Sequence, residues 1–285
     1  MNDTEIVVAG HICIDLIPEF PQQSIQLEEL LQPGKLTQVG AATVSTGGAV
    51  SNTGIALHKL GVPAKLIGKT GDDLFGKAIL DVLQSYGEHL ADAMIIDESE
   101  SSSYTLVISP PGIDRLFFHN PGANNSFESA DISAADLQGA RLFHFGYPPI
   151  MRRMFENEGT ELLKLLQKVK KEGITTSLDI AYPDPDSSAG RADWRTILKK
   201  SLPLVDIFLP SLDEIAFMLN HEWHTNENNL ITEELLRDIS GQLLDYGAGI
   251  VILKLGDQGL YLRSSPENSV INRISLFTQE QSEQW

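Results

Sequence analysis

The stretch from Gly47 to Gly76 gathers residue types able to hold a small polar molecule. It reads Gly47-Gly48-Ala49-Val50-Ser51-Asn52, then a helical pattern, then Gly68-Lys69-Thr70-Gly71-Asp72-Asp73-Leu74-Phe75-Gly76. Two adjacent glycines remove the side-chain wall and let the backbone approach a ligand. The amide of Asn52, at the start of the helix, can both donate to and accept from hydroxyls. This combination suits a polyhydroxy ligand better than a phosphate. The loop lacks the Lys-Ser/Thr ending of a phosphate-binding P-loop and the G-x-G-x-x-G spacing of a dinucleotide site.

Further candidates stand where strands are expected to end. Asp15 follows a first strand, Glu5 to Gly10, in the run Gly10-His11-Ile12-Cys13-Ile14-Asp15. A carboxylate there can accept hydrogen bonds from two hydroxyls, although an ordinary loop Asp or helix cap explains it as simply. Asp179 ends the strand-like Thr175-Thr176-Ser177-Leu178-Asp179, and Glu214 opens a helix after Ser211-Leu212-Asp213. Carboxylates so placed suit the water shell of a magnesium ion on nucleotide phosphates. An acid in a first helical turn is equally favoured by the helix dipole. Lys254-Leu255-Gly256-Asp257-Gln258-Gly259 allows a tight turn against a flat or anionic ligand, or a plain glycine hairpin. Asn120-Pro121-Gly122-Ala123-Asn124 has the composition of a turn. His144 and Tyr147 lie at the same edge, where a strand histidine is usually a packed core residue.

The elements that must position these residues alternate. Strand patterns at Ala64 to Gly68, Arg141 to Phe145, Ile174 to Ile180, Val205 to Leu209 and Gly249 to Lys254 are interleaved with helical ones. The helices are expected at Ser51 to Leu60, Asp73 to Tyr86, Thr160 to Lys171, Trp194 to Leu202, Leu212 to Leu219 and Thr232 to Tyr246. Such alternation predicts an α/β fold, a mostly parallel sheet with helices on both faces, with ligands at the carboxyl ends of the strands. Two segments break the rhythm, Leu36 to Thr46 and Ser101 to Asn120. They predict a small β lid inserted at about 11–46 and 99–120 of a single domain, with a hairpin turn at Pro110 to Asp114.

Composition narrows the function classes. A chain of 285 residues with 42% hydrophobic and 21% charged residues can bury a sizeable core. No apolar run nears the ~18 residues of a membrane span, and the polar start shows no signal peptide. Cys13 is the single cysteine, so no internal disulfide forms, and a cytoplasmic setting is expected. A net charge of −18 argues against nucleic acid and anionic membranes as partners. A nucleotide remains compatible, because a few N–H groups and one metal ion suffice to hold phosphates.

In order along the chain, these motifs resemble the ribokinase, or PfkB, family of carbohydrate kinases. The likeness runs from about Glu5 to about Tyr261. It implies a three-layer α/β/α fold and ATP-dependent phosphorylation of a hydroxyl on a sugar or sugar-like substrate. By this resemblance Asp15, Gly47, Gly48, Asn52 and Asn124 hold the sugar, Lys254, Gly256 and Gly259 line the nucleotide site, and Glu214 and Asp179 serve the metal. ATP and Mg2+ are the implied cofactors, with a monovalent cation as an open addition, and the lid strands are the implied homodimer contact. Ser211 stands where the family's Asn-x-x-Glu motif has Asn, and Gly146 where some relatives carry Glu. The family's second signature, Gly-Ala-Gly-Asp opening a late helix, is not in the sequence, and with it the base that accepts the hydroxyl proton. The expectation is therefore a sugar kinase truncated at its C-terminus, with no catalytic base assigned and little phosphotransfer of its own. A non-catalytic sugar- or nucleoside-binding protein of the same fold is the alternative. A dehydrogenase fits poorly, because His11-Ile12-Cys13 follows the first strand where a glycine fingerprint belongs.

Overall fold

The computed structural model describes residues 5–21, 30, 32–220, 230–274 and 276. Its centre is a seven-stranded sheet. In chain order the strands are β1 (Ile6–Gly10), β4 (Ala64–Ile67), β9 (Leu142–Gly146), β10 (Thr175–Asp179), β11 (Ile207–Phe208), β12 (Ile250–Lys254) and β13 (Leu260–Ser264). They lie side by side as β13-β12-β11-β10-β9-β1-β4, parallel except for the antiparallel edge strand β13. A strand buried on both faces has no polar side to alternate with, and β1 is a run of Ile-Val-Val-Ala-Gly. Val7 and Ala9 join one apolar cluster with Phe143, Phe145 and Leu165, while Val8 joins another with Val50, Leu66, Ile79 and Leu83. The sheet thus separates two helical layers, as the alternation predicts.

Four strands form the lid, in the order β3-β2-β7-β8: β3 (Ala42–Gly47), β2 (Cys13–Pro18), β7 (Tyr104–Ile108) and β8 (Leu116–Asn120). β7 and β8 are an antiparallel hairpin around Pro110 to Asp114, where Ile113 N–H donates to the Pro110 carbonyl. Residues 22–29 and 31, inside the segment assigned to the lid, lie outside the described residues, as do 280–285. Residues 36–41 are described and are not strand. A short parallel pair, β5 (Lys69–Gly71) with β6 (Ile95–Asp97), lies beside the lid.

Two expectations need correction. Asp15 is not on a loop after the first strand; it sits within β2, paired with Ser45 on β3 and Thr105 on β7. Only His11 and Ile12 separate two apolar runs, so β1 and β2 read as one segment. The helix expected from Thr160 begins earlier, at Arg152, and is interrupted where Asn157, Glu158 and Gly159 adopt left-handed backbone. The helices α1 (Ala49–Lys59), α2 (Leu74–Tyr86), α5 (Trp194–Ser201), α6 (Leu212–Met218) and α7 (Glu233–Asp245) lie within a few residues of their expected bounds. Between them in the chain stand α3 (Ala134–Leu137) and α4 (Arg152–Lys171).

The second half of the glycine-rich stretch builds a corner. Asp73 caps α2 by accepting from Gly76 N–H at 2.8 Å, and its other oxygen accepts from Ser102 N–H at 2.8 Å. A side chain at Gly76 would meet the Gly71 carbonyl oxygen at 2.1 Å. Lys69 is buried against Asp131 at 2.8 Å. These contacts fix where the chain enters the lid before β7.

Candidate functional site

Between the lid and the carboxyl ends of β1, β9 and β10 lies a cleft of about 980 Å³. Asp15, Gly47, Gly48 and Asn52 all line it, so residues from two sheets and a helix converge. Asp15 is half-buried; the Cys13 thiol donates to its Oδ1 at 3.3 Å, and burial raises its pKa. Asn52 is exposed on the first turns of α1 and hydrogen-bonds the Tyr147 hydroxyl.

The double glycine is required by the protein itself as much as by any ligand. A Cβ at Gly47 would lie 2.3 Å from Asp15 Oδ2. Gly48 precedes α1 with φ 87 and ψ 165, a conformation essentially confined to glycine. A Cβ there would meet the His11 carbonyl oxygen at 2.5 Å. The chain passes from β3 into α1 through these two glycines, and both they and Asn52 on the first turns of α1 line the cleft.

Asn124 is misplaced by the sequence reading. Its side chain is fully buried, its Nδ2 donates to the carbonyls of Ile12 and Pro121 (both 2.9 Å), and its Oδ1 accepts from Ile12 N–H at 3.1 Å. It clamps the β1–β2 link: both amide protons are taken, and full burial keeps the remaining lone pair of Oδ1 from a sugar. Its neighbour Asn125 lines the cleft instead.

Behind Glu214, which lines the cleft, a second polar group forms. Lys254 Nζ lies 2.6 Å from Asp179 Oδ1, which also accepts from Ile180 N–H at 2.9 Å. Glu214 Oε2 accepts from Ser211 N–H at 2.6 Å, and Ser211 Oγ accepts from Glu214 N–H at 3.3 Å. This is a capping box at the start of α6, so the helix-cap role weighed for Glu214 is real, and Ser211 completes it. Burial raises both carboxylates above their ordinary pKa, and the Lys254 charge pulls each part of the way back. Tyr147, at the end of β9 with φ 68 and ψ 41, faces the same group. Burial, then the charges of Asp179 and Glu214, push its hydroxyl pKa up to about 12. Strand-end position was the signal for Tyr147.

Gly256 and Gly259 are elsewhere. They form the turn between β12 and β13, with φ 62 and 91 and no heavy atom near a notional Cβ, and they are not part of the cleft lining. His144 is the expected core histidine: Nδ1 is 3.0 Å from Ser177 Oγ, and burial, then Lys254, lower its pKa to about 4.

Solved structures of similar fold include a fructokinase and a ribokinase. A fructokinase from Xylella fastidiosa superposes with a TM-score of 0.68 at 17% identity, covering 93% of this chain and 74% of that one. Arabidopsis thaliana ribokinase, solved with ribose and ATP, gives 0.67 at 18% identity, covering 93% and 76%. The chain belongs to the pfkB family of carbohydrate kinases, whose model matches residues 3–280. Among curated relatives, fructokinase-2 of Oryza sativa subsp. japonica is 26% identical over 230 residues, which is 79% of this chain and 63% of that protein. A Solanum tuberosum fructokinase is 28% identical over 230 residues, 78% and 65%. The chain thus spans under two thirds of these relatives' length.

Proposed function

We propose that this chain forms the sugar-binding and metal-facing part of an ATP-dependent carbohydrate kinase acting on a ketohexose such as fructose. The observation that carries the proposal is the convergence of Asp15, Gly47, Gly48 and Asn52 in one lid-covered cleft that Glu214 also lines, with Asp179 close enough to Glu214 to raise its pKa. The names of the curated relatives favour fructose over ribose as the first substrate to try.

On this reading Asp15 accepts from two sugar hydroxyls, and Asn52, already bonded to Tyr147, both donates and accepts. Asp179 Oδ2 and Glu214 Oε1 take no protein hydrogen bond among the described residues, so each keeps an oxygen for the waters of a magnesium ion. ATP with Mg2+ supplies the transferable phosphoryl group and charge neutralisation. Lys254 holds Asp179 and sets the field at that carboxylate and at Glu214. No residue of the chain is assigned as the base, since no Gly-Ala-Gly-Asp is present, and sugar binding is expected to exceed turnover in these 285 residues. Val44 and Phe118 are exposed on the face of the lid opposite Asp15, which supports a homodimer through that sheet.

The test is calorimetry of the 285-residue chain with fructose, ribose and Mg-ATP, beside a coupled ADP-release assay. Fructose and nucleotide binding with weak turnover agree with the proposal. Sugar binding without nucleotide binding favours a binding protein, and robust turnover overturns the expectation of weak phosphotransfer.

A further inference from the structure

Three side chains capable of ligating a soft metal meet on the cleft wall, and the sugar-kinase reading uses none of them. His11 and Cys13 come from the link between β1 and β2 and the start of β2, while His119 comes from β8, and one ligand atom of each lies within 4.8 Å of the others. We propose that His11, Cys13 and His119 form a zinc site, with the fourth coordination position open to the cleft.

The measured edges suit a tetrahedral centre. Zn–N bonds of about 2.0–2.1 Å place two nitrogens about 3.3 Å apart, and His11 Nε2 lies 3.2 Å from His119 Nε2. A Zn–S bond of about 2.3 Å sets the nitrogen-to-sulfur edges at about 3.6 Å. One ligand atom of each residue lies within 4.8 Å of the others, so closing the nitrogen-to-sulfur edges asks for a shift of about 1 Å. A thiolate with two imidazoles is a donor set that favours zinc over magnesium or calcium.

The surroundings orient the ligands. Thr105 Oγ1 donates to Cys13 Sγ at 3.6 Å, so its oxygen is left to accept from His119 Nδ1 at 3.1 Å. That fixes His119 as the tautomer whose Nε2 carries a lone pair and faces His11, the outer-shell arrangement of zinc histidines. Asp15 Oδ1, 3.3 Å from Cys13 Sγ, is placed to accept the thiol proton's hydrogen bond until metal binding releases that proton to solvent. His11 is buried, and its Nδ1 has no partner among the described residues. Bound zinc would tie β8 to the β1–β2 link, holding the lid over the wall that carries Asp15.

The test uses the reduced 285-residue chain without sugar or nucleotide, so its failure leaves the kinase proposal standing. Co2+ is titrated first as a spectroscopic probe, then Zn2+ as competitor. One equivalent of Co2+ should give a thiolate-to-cobalt charge-transfer band that Zn2+ removes. Cys13→Ser should abolish the band, and Thr105→Val should weaken metal affinity about 10–100-fold. His119 is on an exposed lid strand, so His119→Ala should fold and lose at least tenfold in Co2+ affinity even if Cys13→Ser misfolds. No charge-transfer band in the unaltered chain, or Co2+ affinity unchanged in His119→Ala, overturns the assignment.

Discussion

Replacing Gly47 and Gly48 separately by alanine should damage two different properties. At Gly48 the added Cβ must adopt φ 87 and ψ 165, a region costing of order 1–3 kcal/mol for other residues. It also meets backbone, the His11 carbonyl oxygen at 2.5 Å, which cannot swing aside; overpacking of this kind costs about 1–3 kcal/mol more. Gly48→Ala should therefore lose roughly 2–6 kcal/mol of a total stability of about 5–15 kcal/mol. At about 2–4 °C per kcal/mol for a domain of this size, the melting temperature should fall by at least ~4 °C.

Gly47→Ala meets a side chain, Asp15 Oδ2 at 2.3 Å, which can rotate away. Stability should change little, while the displaced carboxylate loses its grip on the sugar. Hydrogen bonds to a charged group contribute about 1.5–3 kcal/mol, so fructose affinity should fall about 10–150-fold. Thermal unfolding and calorimetry on both variants separate the effects. A Gly48→Ala protein that melts with the parent would refute the backbone argument. A Gly47→Ala protein that binds fructose unchanged would refute the role given to Asp15.

Three further outcomes are expected. Lys254→Met removes the cation that partly offsets the burial of Asp179 and Glu214. Both carboxylates have raised folded-state pKa values, so their favourable contribution is complete below the unfolded value and is lost as pH rises through the folded one. Melting curves between about pH 4 and pH 7 should show a steeper loss with rising pH in the variant, and equal slopes would refute the coupling. Asp73→Ala loses the α2 cap and the Ser102 contact, and should destabilise by about 0.5–2 kcal/mol in chemical denaturation. The Asp73 pKa is lowered by its hydrogen bonds, so the deficit should be present near neutrality and shrink as pH falls through the folded value. Asn124→Ala leaves Ile12 N–H and C=O without their buried partner and should cost about 2–6 kcal/mol by urea unfolding; a variant that stays folded should keep its fructose affinity.

The sheet was legible because a parallel strand buried on both faces and a helix buried on one carry different periods, and the runs at β1 and β12 are short and apolar. The lid was harder. β2 stands two residues beyond β1, and no turn signature divides them. His11 and His119 are 108 residues apart in the chain and meet only because β8 folds back beside β7. Nothing in local spacing announces a pair of that kind. Asn124 and Asn125 are neighbours with the same side chain, and only the direction in which the turn presents them separates a backbone clamp from a cleft-lining group.

The glycines make the sharper case. Both line the cleft, yet the reason they are glycine is largely internal: Asp15 and the His11 backbone already occupy the space their side chains would fill. Asp15 is held by the Cys13 thiol on one oxygen and by the space left at Gly47 beside the other, which is the stillness the proposed sugar contact needs. Glu214, which lines the cleft, makes the complementary point, since one of its oxygens caps α6 while the other takes no hydrogen bond among the described residues. A residue tied down by an ordinary structural bond through one oxygen is a better-positioned ligand through the other, so at these positions the structural and functional readings support each other.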